Sequence, residues 1–449
     1  MKFLLGRKVA NLVVIFGGLF SFLVHSNPSV LNEKLNENET NQVISAVCDL
    51  LDKKYIFPEV SKEIDQLFKT KLKKGDYKKF NNARELAQQL TKDMQSISHD
   101  RHLRVLFDPK RIMQSREQEK QAVDPAKEKI ERLIRRTKNH GFKQVSILDG
   151  NIGYIDLRHF DFPDEASDTV TAAMTFLENT DALIFDLRHN GGGSPSMVQL
   201  LVSYLLDAEP IQLNDIYKRD LNITKQYWSL ASVPGKRRPN TDVYVLTSRS
   251  TFSAAEDFSY TLKHLNRATI IGETTGGGAH PGGREIATDR FMVWIPTARS
   301  INPITGGNWE GVGVKPHIEQ SAKTALNTAH IMALESLTSN NKGSQQINQW
   351  YLTALKARSE KPQVASEVLI KYAGNYGVRT LTFENGALYY QRKGNNKLKL
   401  FPINDHLFMV EGKNDFRIKV VVEDQKVVAI QGISDNGSYS QNAREASTL

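Results

Sequence analysis

Residues 244–258, YVLTSRSTFSAAEDF, join the end of a strand to the start of a helix. Residues 242–246 alternate in polarity like a short strand, and residues 254–265 carry apolar side chains at helical spacing. Ser253 falls where the strand gives way to the helix. A serine at this position is either an N-cap, which accepts from N–H groups of the first turn, or a nucleophile whose developing negative charge the helix N-terminus favours. Position alone leaves both interpretations open.

Two further stretches share one design, a buried-type strand followed by a glycine-rich loop. Residues 182–195 read ALIFDLRHNGGGSP, in which Ser194 and Pro195 are typical of a helix start. Residues 268–281 read ATIIGETTGGGAHP. Glycines in such loops allow backbone N–H groups to approach a ligand closely.

Together the three stretches resemble the tail-specific protease family, also called the C-terminal processing peptidases. That family includes the tricorn protease core and the repeats of interphotoreceptor retinoid-binding protein. The matching motifs are D-L-R-x-N-G-G-G at 186–193, T-x-S-A-A-E at 251–256 and G-E-T-T-G-G-G at 272–278, in the family's order. The resemblance runs roughly from Asp100 to Ile318. It implies a nucleophilic Ser253 and an α/β core of the ClpP/crotonase-like type.

One position separates this chain from the branch of the family that pairs its serine with a lysine. That branch reads G-E-x-T-x-G-K-G in the third motif, and its lysine position falls on Gly278 here. Since glycine cannot accept a proton, the resemblance points to the lysine-free branch. The D-x-H-x-x-V pattern at 100–105 then indicates His102 as the general base. His99 is the near rival for this role.

The remaining site residues also follow from the resemblance. Within NWEGVGVKP, residues 308–316, Glu310 stands where a glutamate orients the base histidine in the tricorn-like branch. The N–H of Ala254, with one from Gly192 or a neighbouring glycine, is expected to bind the oxyanion. His280 is expected to have a structural role. No spacing typical of a zinc site is present, so neither a metal nor a cofactor is predicted.

The composition is typical of a soluble globular chain. The 449 residues are 40% hydrophobic and 24% charged, which fits two or three domains. The formal charge of +9 is not gathered into a basic stripe interleaved with aromatic residues, so nucleic-acid binding is not expected. Cys48 is the single cysteine in the sequence, which excludes an intramolecular disulfide.

Residues 1–26 have the pattern of a secretory signal peptide. Lys2, Arg7 and Lys8 precede an apolar run of sixteen residues at 9–24. This run is shorter than the ~20 residues that span a bilayer. The hypothesis is a secreted or periplasmic protein without stable membrane insertion after signal removal.

Changes of periodicity divide the rest of the sequence. The predicted parts are an N-terminal helical domain, a charged linker helix, a protease-like α/β core, a helical connector and a small all-β domain, at 27–107, 108–141, 142–320, 321–364 and 365–449. The linker is shorter than the ~50 residues of a usual domain, so a PDZ module is not expected.

The sequence therefore predicts a secreted serine-type endopeptidase that cleaves unfolded or C-terminal polypeptide segments through Ser253, His102 and Glu310. In this scheme Ser253 attacks the scissile carbonyl, His102 carries the proton and Glu310 orients the imidazole. The alternative is a non-catalytic binding protein for an apolar ligand on the same fold, like the retinoid-binding repeats. The sequence leaves the oligomeric state open.

Overall fold

A computed structural model describes residues 33–120, 125–340 and 344–446 of the chain. The predicted signal peptide, residues 1–26, lies outside these residues. Among the helices in the described part, none combines the length and the apolar character that a membrane crossing requires.

Amphipathic helices form the first layer of the described chain. Asn36 and Asn82 accept hydrogen bonds from first-turn N–H groups, and Pro58 occupies the first turn of the helix between them. The elements up to residue 137 are α1 (Glu37–Lys54), α2 (Pro58–Lys74), α3 (Ala83–Ser98), β1 (Arg104–Phe107), α4 (Pro109–Lys120) and α5 (Pro125–Thr137). The predicted charged segment therefore forms α4 and α5. Three apolar side chains of α5 are exposed: Ile130, Leu133 and Ile134.

The next part alternates strands and helices, as the sequence predicts for an α/β core. Its elements are β2 (Phe142–Leu148), β3 (Ile152–Leu157), α6 (Pro163–Phe176), β4 (Ala182–Asp186), α7 (Pro195–Tyr204), β5 (Gln212–Lys218), β6 (Ile223–Trp228), β7 (Asp242–Thr247), α8 (Ala254–His264), β8 (Thr269–Gly272), β9 (Gly282–Ile286), β10 (Phe291–Pro296), β11 (Ala298–Ile301) and β12 (Ile318–Glu319). Strands β2 and β3 form an antiparallel hairpin. Strand β6, on the edge of a three-stranded sheet with β5 and β11, was not predicted.

The central sheet places three strand ends side by side. Its order is β12-β8-β7-β4-β3-β2, and every pair except β2–β3 is parallel. Helices α6, α7 and α8 contribute to the hydrophobic cluster on one face. Because β4, β7 and β8 are parallel neighbours, the three motif-bearing loops that follow them meet at one edge of the sheet.

The helical layer and part of the core share one hydrophobic cluster. Strand β1 pairs antiparallel with β10, which in turn pairs with β9. Phe291, Val293 and Ile295 of β10 are fully buried in the same cluster as side chains of α1, α2 and α3. This packing fixes the loop between α3 and β1, which carries His102, against the core.

The last part holds two long helices and an antiparallel sheet. Its elements are α9 (Ala325–Ser339), α10 (Gln345–Glu360), α11 (Ser366–Tyr372), β13 (Gly374–Tyr376), β14 (Arg379–Glu384), β15 (Ala387–Arg392), β16 (Leu398–Pro402), β17 (Leu407–Val410), β18 (Lys413–Glu423), β19 (Lys426–Ser434) and β20 (Tyr439–Ala443). Helices α9 and α10 pack on the second face of the central sheet. Strands β13 to β20 pair in chain order, which confirms the predicted small all-β domain. The Trp350 indole of α10 donates to the Asn414 carbonyl of β18 at 2.8 Å, and this bond joins the two parts.

Candidate active site

Ser253 occupies a strained turn between β7 and α8. Its backbone angles are φ 56° and ψ −122°, a conformation that residues other than glycine rarely adopt. Strain of this kind costs of order 1–3 kcal/mol and is concentrated at functional sites. The side chain is half-buried at the N-cap of α8, where it forms a capping box with Glu256, and no separate side-chain cap hydrogen bond is found within the described residues. The hydroxyl therefore lies at the start of a helix.

Glu256 holds this turn against the third motif. Its carboxylate accepts from the backbone N–H of Ser253 at 2.8 Å. It also accepts from the Thr275 hydroxyl at 2.5 Å and from the N–H groups of Gly277 and Gly278 at 2.6 and 2.8 Å. Burial raises the pKa of Glu256 to about 7, and these four hydrogen bonds lower it in part. Because one side chain binds both loops, Glu256 sets the position of Ser253 relative to the glycine loop.

The first glycine loop lies directly against the turn. A Cβ at Gly192 would stand 2.7 Å from Ser253 Cβ, so only glycine allows this approach. Asn190 fixes the loop, since its side chain donates to Leu157 O at 2.9 Å and its carbonyl accepts from Phe252 N–H at 3.1 Å. The loop and the nucleophile turn are thus built as one unit.

Two unpaired N–H groups are available next to Ser253. The Ala254 N–H, at the first position of α8, has no partner among the described residues. The Gly192 N–H donates to Asn190 Oδ1 at 2.9 Å, so it would have to give up this bond to serve an oxyanion. The N–H of the exposed Gly193 has no partner in the described chain. The N–H groups of Ala254 and Gly193 are thus both without partners among the described residues.

The two histidine candidates occupy different environments. His99 is the exposed C-cap of α3, with a left-handed φ of 54°. His102 is buried, and its ring packs on Phe252, the residue before Ser253, with the ring centroids 4.6 Å apart. A Cβ at Gly278 would meet Phe252 Cζ at 2.2 Å and His102 Cε1 at 2.7 Å. The His102 ring therefore lies in the space that a side chain at position 278 would enter.

The two ring nitrogens of His102 differ in their surroundings. Nδ1 is fully buried and has no hydrogen-bond partner in the described chain, whereas Nε2 is not enclosed in this way. Burial lowers the pKa of His102 to about 4, although the charge of Asp100 raises it in part. Near neutral pH the ring is therefore uncharged and able to accept a proton.

Two carboxylates lie beside His102. Single ligand-type atoms of Asp100, His102 and Glu310 are within 4.8 Å of one another. Asp100 Oδ1 accepts from the His102 backbone N–H at 3.0 Å, and Glu310 Oε2 accepts from the Ala279 N–H at 2.5 Å. Glu310 Oε1 is buried and, among the described residues, has no partner. His102 Nδ1 and Glu310 Oε1 are thus two buried polar atoms without partners among the described residues, in one cluster.

Burial and charge keep this pair of carboxylates from ionising together. Burial raises the pKa of Glu310 to about 8, and the neighbouring Asp100 adds to the effect. Burial and Asp100 likewise raise the pKa of Tyr55, whose hydroxyl lies 3.4 Å from Asp100 Oδ2. Near neutral pH the carboxylate pair therefore retains a proton, held mainly by Glu310.

The cluster of Asp100, His102 and Glu310 has the donor types of a metal site. Both carboxylates, however, already accept N–H donors, and His102 lies against the nucleophile turn. The cluster therefore lies directly against the turn that carries Ser253. A second group of this kind, His140, Asp161 and Glu165, includes a bidentate pair between Arg135 and Glu165, which supplies the positive charge there.

The structure brings Ser253, His102 and Glu310, predicted from distant segments, to one edge of the central sheet. Three further residues with evident roles were not assigned to the site by sequence reasoning: Glu256, Asp100 and His280. For Glu256 a signal was present, because S-x-x-E at 253–256 is the pattern of a capping box. For His280, whose ring contacts the carboxylate pair, no local signal exists.

Two long stretches of the chain match known family models. Residues 151–320 match the family model described as peptidase family S41, and residues 35–149 match the N-terminal domain of peptidase S41 in eukaryotic IRBP. The tail-specific protease of Haemophilus influenzae is 32% identical over 119 residues, which are 25% of this chain and 15% of that protein. The chain thus spans a small part of the length of this curated relative.

Several solved structures are also similar. The photosystem II D1 C-terminal processing protease is 16% identical, with 65% of this chain and 95% of that chain covered and a TM-score of 0.40. The tricorn protease is 14% identical, with coverages of 65% and 35% and a TM-score of 0.39. A lipoprotein from Streptococcus agalactiae is 14% identical, with coverages of 68% and 99% and a TM-score of 0.43.

The family models and the observed order of elements confirm the predicted fold class, a ClpP/crotonase-like α/β core with a helical N-terminal part and a small C-terminal all-β domain. The three motifs of residues 186–193, 251–256 and 272–278 converge within this fold. The chain therefore belongs to peptidase family S41, whose peptidases are of the serine type.

Proposed function

We propose that this chain is a serine-type endopeptidase in which Ser253 is the nucleophile and His102 the general base. Ser253 Oγ bonds to the scissile carbonyl carbon while its proton passes to His102 Nε2. The imidazolium then gives this proton to the leaving amine as the peptide bond breaks. A water molecule hydrolyses the resulting ester, with His102 again taking and returning the proton.

The observation that carries this proposal is the position of the His102 ring. It packs on Phe252 and reaches to 2.7 Å from a Cβ placed on Gly278, the position that corresponds to the lysine of the Ser–Lys branch. The histidine thus fills the space left by the missing lysine side chain. A base is therefore available next to Ser253 although the third motif contains none.

The oxyanion is stabilised in this proposal by the N–H groups of Ala254 and Gly193. Both lack partners within the described residues, and the Ala254 group lies at the N-terminus of α8, where the helix dipole favours negative charge. Removing one donor of this type typically costs about 3–4 kcal/mol of transition-state stabilisation. Gly192 then serves mainly to let the loop approach Ser253.

Glu310 supports the imidazolium that forms during the reaction. Its Oε1 and His102 Nδ1 are both buried without partners in the described chain, and the two side chains belong to one cluster. Catalytic hydrogen bonds are often long without substrate and shorten when substrate binds. We infer that substrate binding brings these two atoms into contact.

The substrate is proposed to be an unfolded or C-terminal polypeptide segment, cleaved outside the cytoplasm after removal of residues 1–26. The predicted parts at 27–107, 108–141, 142–320, 321–364 and 365–449 remain the proposed division of the chain. The all-β part is assigned no chemistry.

The proposal is tested by comparing the intact protein with the Ser253→Ala variant in hydrolysis of unfolded polypeptides and in labelling by a fluorophosphonate probe. We expect wild-type protein to be labelled at Ser253 and to cleave, and the variant to do neither while keeping its circular dichroism spectrum. If the folded variant retained near wild-type cleavage, Ser253 would be only a helix cap and the proposal would be wrong.

A second candidate function, binding of an apolar ligand, is favoured by a cavity elsewhere in the fold. This cavity has a volume of about 450 Å³ and lies between the end of α10 and strands β16 and β17, where Ala357, Met409 and Val410 line it. A protein whose Ser253 is not labelled, but which binds a fluorescent apolar probe stoichiometrically, would support this function over hydrolysis.

A further inference from the structure

His280 lies between the two carboxylates of the candidate site. Its Nδ1 is 2.9 Å from Asp100 Oδ2 and 3.3 Å from Glu310 Oε2. The residue is 4% exposed and Asp100 is fully buried. Asp100 Oδ2 is also the acceptor for the Tyr55 hydroxyl, so Nδ1 carries the hydrogen of its bond to Asp100.

We propose that His280 is a positioning residue for His102: its Nδ1–H holds Asp100 by a hydrogen bond, with Glu310 beside it, so that both carboxylates support the imidazolium of the base. This inference rests on the peptidase function proposed above and adds a residue to it. His280 itself need not touch the substrate, because it acts on His102 through the two carboxylates.

The backbone on both sides of His280 is fixed by neighbouring strands. The Ala279 carbonyl accepts from Ser300 N–H at 3.1 Å, and the Pro281 carbonyl accepts from the N–H groups of Thr297 and Ala298 at 3.0 Å each. The imidazole also contacts the Phe57 ring edge-on, with the centroids 5.1 Å apart. The position of His280 is therefore fixed by the core. Asp100, which comes from the helical layer, is held in place by its bond to His280.

Asp100 transmits this restraint to the base. Asp100 and His102 belong to the loop that follows α3 in the helical layer, and Asp100 Oδ1 accepts the His102 N–H at 3.0 Å. A displacement of Asp100 therefore displaces the backbone of His102. The bond between His280 and Asp100 helps to hold this loop on the core, as does the bond that Arg101 donates to the Gly276 carbonyl at 2.6 Å.

The same N–H weakens the repulsion between the two acids. Charges that approach as closely as these destabilise each other when both ionise in a buried site. The groups that face the pair are Tyr55 and Phe57 from the helical layer, Arg101 and His102 from the loop, and Glu256 and Ala279 from the core. His280 donates to Asp100 and lies beside Glu310, so its loss should favour retention of a proton by the pair.

The test compares His280→Ala with His280→Asn, whose amide restores a donor near the position of Nδ1. His330→Ala is the matched control, because His330 is also a buried histidine that contacts a backbone carbonyl, Asp149 O, at 2.7 Å. Each variant is measured for kcat, KM, melting temperature and the pH dependence of kcat/KM in polypeptide hydrolysis.

We expect His280→Ala to lower kcat by about tenfold or more, with KM nearly unchanged, and to move the rise of kcat/KM to higher pH. His280→Asn should recover much of the wild-type kcat. His330→Ala should retain the wild-type kcat even if its melting temperature falls by as much as that of His280→Ala. An unchanged kcat and pH profile in His280→Ala would overturn the proposal. So would a loss of kcat that merely follows the melting temperature and is not recovered in His280→Asn.

A second measurement separates this inference from the function on which it rests. In Ser253→Ala protein, which cannot turn over, the His102 imidazole is followed by NMR during a pH titration with and without His280→Asn and His280→Ala. A His102 titration that depends on the residue at 280 supports positioning even if the wild-type protein hydrolyses nothing. A His102 signal that is the same in all three proteins contradicts positioning even if hydrolysis is observed.

Discussion

The candidate site has two halves, which we name after their proposed roles. The nucleophile half surrounds Ser253 and the base half surrounds His102, and the two are built in opposite ways. In the nucleophile half, Glu256 accepts four hydrogen bonds and joins Ser253 to the second glycine loop. In the base half, His102 Nδ1 and Glu310 Oε1 are buried without partners in the described chain. The first half is therefore tied together by hydrogen bonds, whereas the second contains two buried polar atoms that have no partner among the described residues.

This difference shows where each half obtains its geometry. The nucleophile half follows three parallel strands of one sheet, so its loops are positioned by the backbone ladder. The base half depends on packing between the helical layer and β10, and on polar contacts across that boundary such as the one between Arg101 and Gly276 O. Changes in the base half should therefore affect activity more readily than folding.

The largest effect is expected from removing the base. His102→Ala should lower kcat/KM by about 10³-fold or more, because the proposed mechanism passes the proton of Ser253 to His102, whose ring packs on Phe252. His99→Asn is the matched control, since Asn tolerates the left-handed conformation of this exposed helix cap. Hydrolysis rates of both variants check this prediction. Equal rates for His102→Ala and wild type would transfer the base role to another residue.

The next effect tests whether the space at position 278 belongs to the base. In Gly278→Ala, the new methyl group would meet the rings of Phe252 and His102 at 2.2 to 2.7 Å, so the imidazole must move. We expect a loss of kcat of about 10- to 100-fold, because small displacements of catalytic groups have effects of this size. Gly283→Ala is the control, since its methyl group would meet nothing within 4 Å. Similar kinetics for the two variants would contradict the assigned position of His102.

A smaller and pH-dependent effect is expected from Glu310. Burial beside Asp100 raises its pKa to about 8, so the charged form that best supports the imidazolium becomes populated only as the pH rises through that value. Wild-type activity should therefore increase in this range, and Glu310→Gln, which resembles the protonated form, should lack the increase. The rate ratio of the two proteins should be small near pH 6 and about tenfold near pH 9. A ratio independent of pH would show that ionisation of Glu310 is not coupled to the reaction.

The halves also differ in how far the sequence predicts them. Ser253 and the glycine loops could be identified because each motif is contiguous and follows a strand with a clear apolar pattern. Glu256 lies in the same stretch, and its S-x-x-E spacing predicts the hydrogen bond to the Ser253 N–H. Local sequence thus contains most of the nucleophile half.

The base half contains contacts that no local pattern encodes. Asp100 and His280 are 180 residues apart, and their bond exists only because β10 packs against the helical layer. Strand β6 was missed for a related reason: most of its side chains are exposed, so it shows little of the apolar alternation that predicts a strand. Pairing with β5, a tertiary contact, defines this strand.

The smallest effect concerns stability and returns to the nucleophile half, where a second buried carboxyl, Asp257, follows Glu256 in α8. Burial raises the pKa of Asp257 to about 7, although Asn214 and Thr261 donate to it at 3.2 Å each. A carboxyl with a raised pKa stabilises the fold fully below its unfolded pKa of ~3.9, and this contribution is lost as the pH rises through the folded value. Asp257→Asn, which is always neutral, should therefore have a melting temperature that gains on wild type by a few degrees between about pH 5 and pH 8. Thermal unfolding of both proteins across this range measures the difference. A constant difference in melting temperature would mean that Asp257 is ionised throughout this pH range. The nucleophile half would then contain a buried charge.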